Sequence, residues 1–579
     1  MNSATRRGFL GMAAAGAGGM TMGAGAMISG AGPAEAAAAA CPPTPAASAV
    51  TPSDPRYWEL VTRGYNALYL GSPASVHLVH NARQIERAVT EAVRAGKRIA
   101  VRSGGHCFEN FVDNADVNIV LDISEMNAVY YDPEYKAFAV EAGATLGQAY
   151  RTLYLGWGVT IPGGACPSVG AGGHIAGGGY GMLSRRHGLS VDHLYGVEVV
   201  VVDRSGHARV VTATREPGDP HHDLWWAHTG GGGGCFGVVT RYLLRSPGAS
   251  GADPAALLPK PPARVAVMSV SWPWDRLNEQ AFLNLVGNYG DWYARNRDAD
   301  SPLDSSLMMR HHTGGPITLS ATVDSTQPDP EGRLTRFIGE IKNGVGAEPS
   351  LDYVAAAPWL RLTLAFDSTT GGAFLRFKSK AAYLRAPWSA RQVSAVHRFL
   401  SQGPDNPGAA IYLNGYGGRV NSVAPRATAA PHRDSIMLGL FDVGWWSPVE
   451  DAARMASVRG VYHEVYRDTG GVPVPNDHND GSYINYPDLD LADPQWNTSG
   501  VPWHTLYYKD AYPRLQDVKA RYDPGDVFRH ALSVRLPGRQ KAAPSTAEHD
   551  RGRSASRPDL PATTGRPVPP RRFFEAPTR

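Results

Sequence analysis

The sequence predicts an α+β protein built from two regions of different pattern. Residues 76–246 alternate short apolar strands with amphipathic helices, whereas residues 264–477 contain longer apolar strands separated by helical stretches. The two ends of the chain lack the periodicity of a core-forming segment. We therefore expect the folded body to lie between the ends.

The amino-acid composition of the chain limits the kinds of function that it can have. The chain has 579 residues, of which 56 are Lys or Arg and 53 are Asp or Glu, giving a formal net charge of +3. A protein that tracks a phosphate backbone usually shows a clustered basic excess, so nucleic-acid binding is not indicated. The 65 glycines are the outlier, at about 11% of the chain against a usual level of about 7%. We expect this excess to mark the loops that carry the chemistry.

Residues 1–40 are typical of a twin-arginine export signal. Residues 5–10 read Thr-Arg-Arg-Gly-Phe-Leu and precede a stretch dominated by Gly and Ala. A membrane anchor is the competing interpretation, but a stretch so poor in Leu, Ile and Val transfers weakly into lipid. Cys41, which follows a run of alanines, resembles a weak lipid-attachment site and gives a second alternative. We expect a secreted protein with no stable membrane span.

The carboxyl-terminal residues 539–579 are rich in Pro, Arg, Ser and Thr. Such a segment cannot bury enough apolar surface to offset the entropy of ordering it. We predict a disordered tail there.

The first region begins with a helix whose start and end are both marked. Asn81 with Gln84 three residues later is a capping pattern, and Gly96 is a stop signal. The elements predicted after it are a strand at 98–102, a hairpin of strands at 128–131 and 137–141, a helix near 145–155, a strand at 159–161, and a strand at 196–203. Between the last two lies the segment 163–181, with nine glycines in nineteen residues.

The second region contains four long strand candidates. They lie at 264–272, 318–323, 410–416 and 436–443, with helical stretches between them. We expect this region to form a separate α+β domain.

Two glycine-rich segments are candidate anion sites. Residues 102–106, Arg-Ser-Gly-Gly-His, and the segment 163–181 both allow backbone N–H groups to approach a phosphate closely. A third segment, Gly232-x-Gly234-x-x-Gly237, matches the dinucleotide fingerprint literally, but it precedes a predicted strand at 236–242 instead of opening a helix. A nicotinamide-type Rossmann site is therefore disfavoured.

The four cysteines are Cys41, Cys107, Cys166 and Cys235. Because no C-x-x-C pair is present, a zinc site is not indicated. A disulfide would be permitted outside the cytoplasm. Cys166 lies among many backbone donors, which fits a reactive thiolate, although the local pattern alone favours an inert buried thiol.

Several separated motifs together resemble one family. They are residues 102–106, residues 166–181 from Cys-Pro-Ser-Val-Gly to Gly-Gly-Gly-Tyr-Gly, residues 483–488 (Tyr-Ile-Asn-Tyr-Pro-Asp), and residues 512–530, which end in Val-Phe-Arg-His. In this order they resemble the berberine-bridge-enzyme-like flavin oxidases of the vanillyl-alcohol-oxidase superfamily. The resemblance covers roughly residues 60 to 535 and favours the bacterial sugar and antibiotic-tailoring branch.

The resemblance implies a domain organisation. A two-part FAD-binding domain of the vanillyl-alcohol-oxidase type would comprise residues 60–248 and a returning segment at 478–538. Residues 249–477 would form an α+β substrate domain, an antiparallel sheet covered by helices.

The resemblance also implies FAD attached twice, with His106 bonded to the 8α-methyl group and Cys166 to the sixth ring carbon. Val169 would govern oxygen access, which favours an oxidase over a dehydrogenase. Cys235 departs from the asparagine usual in the family, so a flavin contact there is expected to differ. The implied cofactor-binding residues are His106, Cys166, Arg102, Ser103, Gly104, Gly105, Pro167, Ser168, Val169, Gly172, Gly173, His174, Gly178 and Asn485.

Alcohol oxidation needs a base for the hydroxyl proton while hydride passes to the flavin. By resemblance this base is Tyr483, and Tyr416 is a second candidate with an equally plausible structural role. A tyrosine can act this way if positive charge or hydrogen bonds stabilise its phenolate. Lys378 and Arg433 are weaker pocket candidates. The pairs at 221–222 and 311–312 do not make a metal site, because adjacent side chains of an extended chain point apart.

The function expected from all this is that of an exported FAD-dependent oxidase. It would oxidise a hydroxyl of a sugar, an oligosaccharide or a glycosylated natural product, and reduce oxygen to hydrogen peroxide. Two alternatives stay open: an oxidative cyclase or desaturase of the same family, and a non-catalytic surface protein that retains the fold. The sequence does not name the substrate.

Overall fold

A computed structural model describes residues 47–251, 253–298, 303–365 and 375–538. The predicted export signal at 1–40, the alternative lipid site at Cys41 and the predicted tail at 539–579 lie outside these residues. Within them, no helix is long and apolar enough to cross a membrane.

The first sheet has four strands in the order β1-β2-β4-β3. β2 and β3 both run parallel to β4, and β1 is antiparallel to β2. The strands are β1 (Ser48–Val50), β2 (Ser75–Leu78), β3 (Ile99–Arg102) and β4 (Ile119–Asp122); the helices of this part are α1 (Tyr57–Val61) and α2 (Ala82–Arg94).

Helix α2 confirms the capping prediction. The Asn81 side chain accepts a hydrogen bond from the backbone N–H of Gln84 at 3.1 Å, which satisfies one of the free donors of the first turn. The chain leaves the helix through Gly96, whose φ of +62° suits glycine. It then enters β3, so the loop after β3 starts at a fixed sheet edge.

The second sheet has five strands in the order β5-β6-β9-β7-β8, and every neighbouring pair is antiparallel. The predicted hairpin is confirmed as β5 paired with β6. The strands are β5 (Val129–Asp132), β6 (Ala137–Glu141), β7 (Leu194–Val202), β8 (Ala208–Thr214) and β9 (Val238–Leu244). The helices are α3 (Leu146–Trp157), α4 (Ala171–Ala176), α5 (Ser184–His187) and α6 (His222–Ala227).

One predicted strand of this region is wrong. Residues 159–161 are buried but belong to no strand. The N–H of Thr160 donates to the carbonyl of Pro259 at 2.8 Å, so a loop satisfies the backbone that a neighbouring strand would otherwise satisfy. The apolar residues at 159–161 therefore indicate that this segment is buried, and not that it forms a strand.

The third sheet has seven strands, all paired antiparallel, in the order β13-β10-β12-β11-β15-β16-β14. The four predicted strands are confirmed as β10, β12, β15 and β16, with small boundary shifts. The strands are β10 (Arg264–Trp272), β11 (Asp304–Arg310), β12 (Ile317–Asp324), β13 (Ser350–Pro358), β14 (Arg376–Leu384), β15 (Ala409–Gly415) and β16 (Met437–Trp445). The helices are α7 (Glu279–Arg295), α8 (Pro330–Lys342), α9 (Trp359–Ala365), α10 (Ala390–Ser401) and α11 (Asp451–Val465).

The C-terminal segment carries α12 (Trp503–Tyr508) and α13 (Tyr512–Tyr522) and packs back on the first region. Lys519 of α13 is fully buried and donates to the carbonyls of Cys235 and Phe528, with Asp523 as its counter-ion. Because a buried ammonium needs all its donors satisfied, this lysine fixes the loop before β9 against residues 523–528 of the C-terminal segment.

A buried ionic cluster joins the three parts of the molecule. Lys378 of β14 pairs with Glu109, and with Asp488 at 2.8 Å. Lys380 bridges Asp488 and Asp490 at 2.7 Å each. Opposite charges raise the pKa of Lys378 well above its usual range against the cost of burial. Lys378 therefore has a structural role, since it ties β14 to two segments that are distant in sequence.

Candidate active site

A cavity of about 470 Å³ lies where four chain segments meet. These are the loop after β3, the glycine-dense segment around α4, the loop between α6 and β9, and the C-terminal segment at 483–487 with 528–530. Among the site residues predicted from the sequence, the following line it: Arg102, Ser103, Gly104, Gly105, His106, Cys166, Val169, Gly172, Gly173, His174, Tyr483 and Asn485. Pro167, Ser168, Gly178 and Tyr416 do not line it.

The loop after β3 lies directly against the glycine-dense segment. A Cβ on Gly104 would overlap the backbone nitrogen of Gly170 and come within 2.9 Å of the carbonyl oxygen of Ser168. Gly105 has a φ of +81°, a conformation that side chains rarely adopt. The two glycines thus allow two backbone segments to form one wall of the cavity.

Arg102 opens this loop as a buried cation. Its Nε and Nη2 donate to Asp122 at 3.2 and 3.1 Å, and the side chain is 2% exposed. Among the described residues, its Nη1 has no hydrogen-bond partner. An unsatisfied buried donor beside a cavity fits an anionic ligand group.

His174 holds the glycine-dense segment in place. Its Nε2 accepts the N–H of Gly164 at 3.0 Å, and burial lowers the pKa of His174 to about 4. The ring is therefore neutral at physiological pH. Its backbone carbonyl accepts from Asn485 at 2.8 Å, which ties the C-terminal segment to the cavity wall.

His106 and Cys166 are brought together by a residue between them. Ser168 Oγ lies 3.1 Å from His106 Nε2 and 3.2 Å from Cys166 Sγ. The ring of Tyr65 stacks on the imidazole of His106, with centroids 4.3 Å apart and an interplanar angle of 18°. Two candidate nucleophiles thus share one wall of the cavity and one hydroxyl group.

No disulfide joins Cys107, Cys166 and Cys235, so the disulfide permitted by the sequence is not formed among these three described cysteines. Burial raises the pKa of Cys107 to about 12 and that of Cys235 to about 11, which leaves both as unreactive thiols. Among the residues described, no group of three or more His, Cys, Asp or Glu side chains is arranged to hold a metal.

Tyr483 lies on the cavity wall inside a cradle of donors. Its phenolic oxygen accepts from Asn485 Nδ2 at 2.8 Å and from the N–H of Tyr180 at 3.2 Å. Burial raises the pKa of Tyr483, while these bonds and one from the N–H of Gly179 oppose that rise. The cradle supplies donors that a phenolate requires, although burial has the larger effect on the pKa of Tyr483.

Tyr416 lies behind this wall. Its hydroxyl donates to the carbonyl of His432 at 3.2 Å, and its ring packs against those of Tyr180 and Tyr383. Tyr180 does line the cavity. This position favours a supporting role for Tyr416; its catalytic role stays a prediction. Arg433 is likewise buried, in an ion pair with Asp192 at 2.7 Å.

Other lining residues escaped the sequence reasoning. Tyr65 has no sequence signal, whereas Tyr180 and Tyr486 stood inside motifs that were already noted. His530 stacks on Phe111 at 4.0 Å, and burial lowers its pKa to about 3, so its ring is neutral. Its Nε2 donates to the carbonyl of Gly233 at 3.0 Å, which leaves Nδ1 as an acceptor without a partner among the described residues.

Two family models match the chain. Residues 73–211 match the model described as FAD binding domain, and residues 482–535 match the model described as berberine and berberine like. The second match covers Tyr483, Asn485 and the segment that packs back on the first region.

The chain is similar to proteins of known activity over nearly its whole length. It is 52% identical over 546 residues to the aclacinomycin-N/aclacinomycin-A oxidase of Streptomyces galilaeus, covering 93% of this chain and 99% of that protein. The crystal structure of a glycopeptide hexose oxidase in complex with teicoplanin is 50% identical, with a TM-score of 0.82, and covers 86% of this chain and all of that chain.

A more distant neighbour shares the fold. The glucooligosaccharide oxidase of Acremonium strictum has 21% identity and a TM-score of 0.69 over 84% of this chain and 97% of that chain. Its FAD is described as 6-S-cysteinyl and 8α-N1-histidyl.

Proposed function

The chain belongs to the berberine-bridge-enzyme-like family of FAD-linked oxidoreductases, and from this premise we propose that it oxidises a hydroxyl group of a sugar, an oligosaccharide or a glycosylated natural product. The observation that carries the proposal is the similarity, over 93% and 86% of this chain, to an aclacinomycin-N/aclacinomycin-A oxidase and a glycopeptide hexose oxidase, at 52% and 50% identity. Oxygen is the proposed electron acceptor and hydrogen peroxide the second product.

The cavity fits an FAD. The close approach of Gly104 to Gly170 gives a backbone-lined wall. Within the described ranges of the chain, Arg102 Nη1 is a donor without a partner and would suit the pyrophosphate, and His530 Nδ1 is an acceptor without a partner and would suit a hydroxyl or amine. When bound, FAD supplies the acceptor for the hydride that leaves the substrate carbon. Val169 lines the same cavity and is the proposed control of oxygen access.

His106 and Cys166 are the proposed points of covalent attachment. They share the cavity wall and the hydroxyl of Ser168, and the distant glucooligosaccharide oxidase is described with bonds to the same two residue types. Acid precipitation should leave the flavin on the polypeptide in wild type and in either His106→Ala or Cys166→Ala, and should release it only from the double variant.

Tyr483 is the proposed base. As hydride leaves the substrate carbon, the hydroxyl proton must go to a group within hydrogen-bond reach, and Tyr483, which lies on the cavity wall, would accept it in its phenolate form. Asn485 and the N–H groups of Tyr180 and Gly179 hold the phenolic oxygen in place and stabilise its charge. The side chain of Tyr180 is a further wall for the substrate, fixed by its bond to the carbonyl of Gly415 at 2.6 Å.

Oxygen uptake against a panel of monosaccharides, oligosaccharides and glycosylated aglycones tests the proposal. The expected result is uptake with at least one glycosylated member and a carbonyl in its product, identified by NMR. Ring closure or a new carbon–carbon double bond in the product would instead support the cyclase or desaturase alternative.

A further inference from the structure

Ser168 does not line the cavity, yet it touches both proposed attachment residues, which do. We propose that Ser168 is a positioning residue whose single hydroxyl prepares both His106 and Cys166 for bond formation with the flavin. The inference rests on the proposed double attachment and goes beyond it, because it concerns how the two bonds are made.

The contact to His106 selects a tautomer. A neutral imidazole carries one N–H and one lone pair on its two nitrogens. When Ser168 Oγ accepts from Nε2–H at 3.1 Å, the lone pair lies on Nδ1, which is then the nucleophilic nitrogen. Tyr65 stacks on the ring and fixes its plane. The histidine is thereby both oriented and set in its reactive form.

The contact to Cys166 uses the hydrogen of the same hydroxyl, whereas the contact to His106 uses its oxygen. While Oγ accepts from His106, its own hydrogen is free to donate to Cys166 Sγ at 3.2 Å. The thiolate is the nucleophilic form of cysteine, and a hydrogen bond to the charged form stabilises it. One chain of bonds, from Nε2–H to Oγ–H to the thiolate, therefore activates both groups.

The same hydrogen bonds with donors and acceptors exchanged describe the resting state. If the thiol donates to Oγ and Oγ–H donates to Nε2, the remaining ring proton is on Nδ1 and neither group is nucleophilic. The two states differ by one proton: leaving the resting state takes loss of the thiol proton, transfer of the ring proton from Nδ1 to Nε2, and rotation of the Ser168 hydroxyl. Ser168 thus couples the protonation of His106 to that of Cys166.

Each attachment balances with oxygen as the oxidant. At Cys166 the S–H bond and a ring C–H bond break and a C–S bond forms; at His106 the ring N–H bond and a methyl C–H bond break and a C–N bond forms. In each case two protons and two electrons pass to one O₂, giving one H₂O₂. Ser168 is unchanged at the end, as a relay should be.

The test compares Ser168→Val with Ser168→Thr, which have nearly the same shape but differ in the hydroxyl. Each substitution is made in wild type, in His106→Ala and in Cys166→Ala, so that each bond is followed separately. Purified proteins are incubated with FAD in air and digested. Mass spectrometry then measures the flavin-bearing fraction of the two peptides over time, while acid-released flavin reports the FAD that is bound without a covalent bond.

The expected result is attachment at both residues slowed by about tenfold or more in Ser168→Val, the scale of a lost hydrogen bond to a charged group. Ser168→Thr should keep near wild-type rates. Acid-released flavin in the valine variant would show that it folds and still binds FAD.

Wild-type rates at both residues in Ser168→Val would overturn the inference, as would slowing at one residue alone. A folded threonine variant that fails as the valine variant does would also overturn it. Wild type that releases all its flavin on denaturation would overturn the double attachment itself, a result distinct from any effect at position 168.

Discussion

At the scale of single residues, the account depends on the oxygen of Tyr483. Burial raises the pKa of this phenol, and three N–H groups that favour the phenolate counteract it. The rate of flavin reduction should therefore rise with pH as Tyr483 loses its proton, because only the phenolate accepts the substrate proton.

Replacement of Asn485 by Leu tests this balance. The change removes the 2.8 Å donor from the phenolic oxygen, which raises the pKa of Tyr483 further. The rising limb of the pH–rate profile should move to higher pH by about one to two units, the equivalent of a hydrogen bond to a charged group. Rapid-mixing spectrophotometry of anaerobic flavin reduction measures the shift.

Tyr483→Phe is the matched control, since it removes the titrating group. It should slow flavin reduction strongly and abolish this limb while the cofactor stays bound. An unchanged profile in Asn485→Leu, or near-normal reduction in Tyr483→Phe, would assign the base to another group.

Much of the site is readable in the sequence because its residues stand in contiguous motifs. His106, Cys166 and Tyr483 lie in three such motifs, and the structure brings all three to one cavity. Tyr65 could not be found this way, because only the fold brings its ring onto His106. The vacant acceptor of His530 was equally hidden, since it depends on a tautomer set by Gly233.

At the scale of elements, β14 shows why some strands escape sequence reading. It carries Arg376, Lys378 and Lys380, yet all of its residues are buried. Their partners, among them Glu109 and Asp488, are distant in sequence, so the pattern resembles an exposed strand. The converse error occurred at 159–161, where an apolar run is buried as a loop.

Lys378→Met tests the buried cluster as a junction between elements. The variant removes the ammonium group that pairs with Glu109 and with Asp488, so that less positive charge neutralises these two buried carboxylates. Breaking a buried pair by removing one partner costs about 3–5 kcal/mol of unfolding free energy. Chemical unfolding of the flavin-loaded protein, followed by tyrosine and tryptophan fluorescence, measures the loss.

Arg336→Ala is the control for this effect. It breaks an ion pair with Asp329 in which both side chains are largely exposed, so the unfolding midpoint should hardly change. Equal midpoints for Lys378→Met and wild type would show that the cluster does not stabilise the junction.

At the scale of the whole molecule, we propose that the folded, FAD-loaded protein is exported through its twin-arginine signal. Replacing Arg6 and Arg7 by lysine should retain the protein inside a bacterial host that has this pathway. Immunoblots of medium and cells measure the distribution. The same double change at Arg571 and Arg572 is the control and should leave export intact. Secretion of the Arg6/Arg7 variant at the wild-type level would contradict the proposal that the protein uses a twin-arginine signal.

The order of helices and strands was largely predictable, because hydrophobic periodicity and glycine motifs extend over long segments. The substrate was not predictable, because side chains that line the cavity meet only in the fold. Tyr180, for example, is fixed by a carbonyl of β15, more than 200 residues away.

The most direct test of the central claim is an anaerobic titration of the purified protein with a glycosylated substrate selected by oxygen uptake. We predict that one equivalent bleaches one equivalent of bound flavin and yields one carbonyl on the sugar, and that admitted oxygen restores the absorbance with one equivalent of hydrogen peroxide. A flavin that glycosylated substrates never bleach, or that they bleach without a new carbonyl on the sugar, would contradict the account.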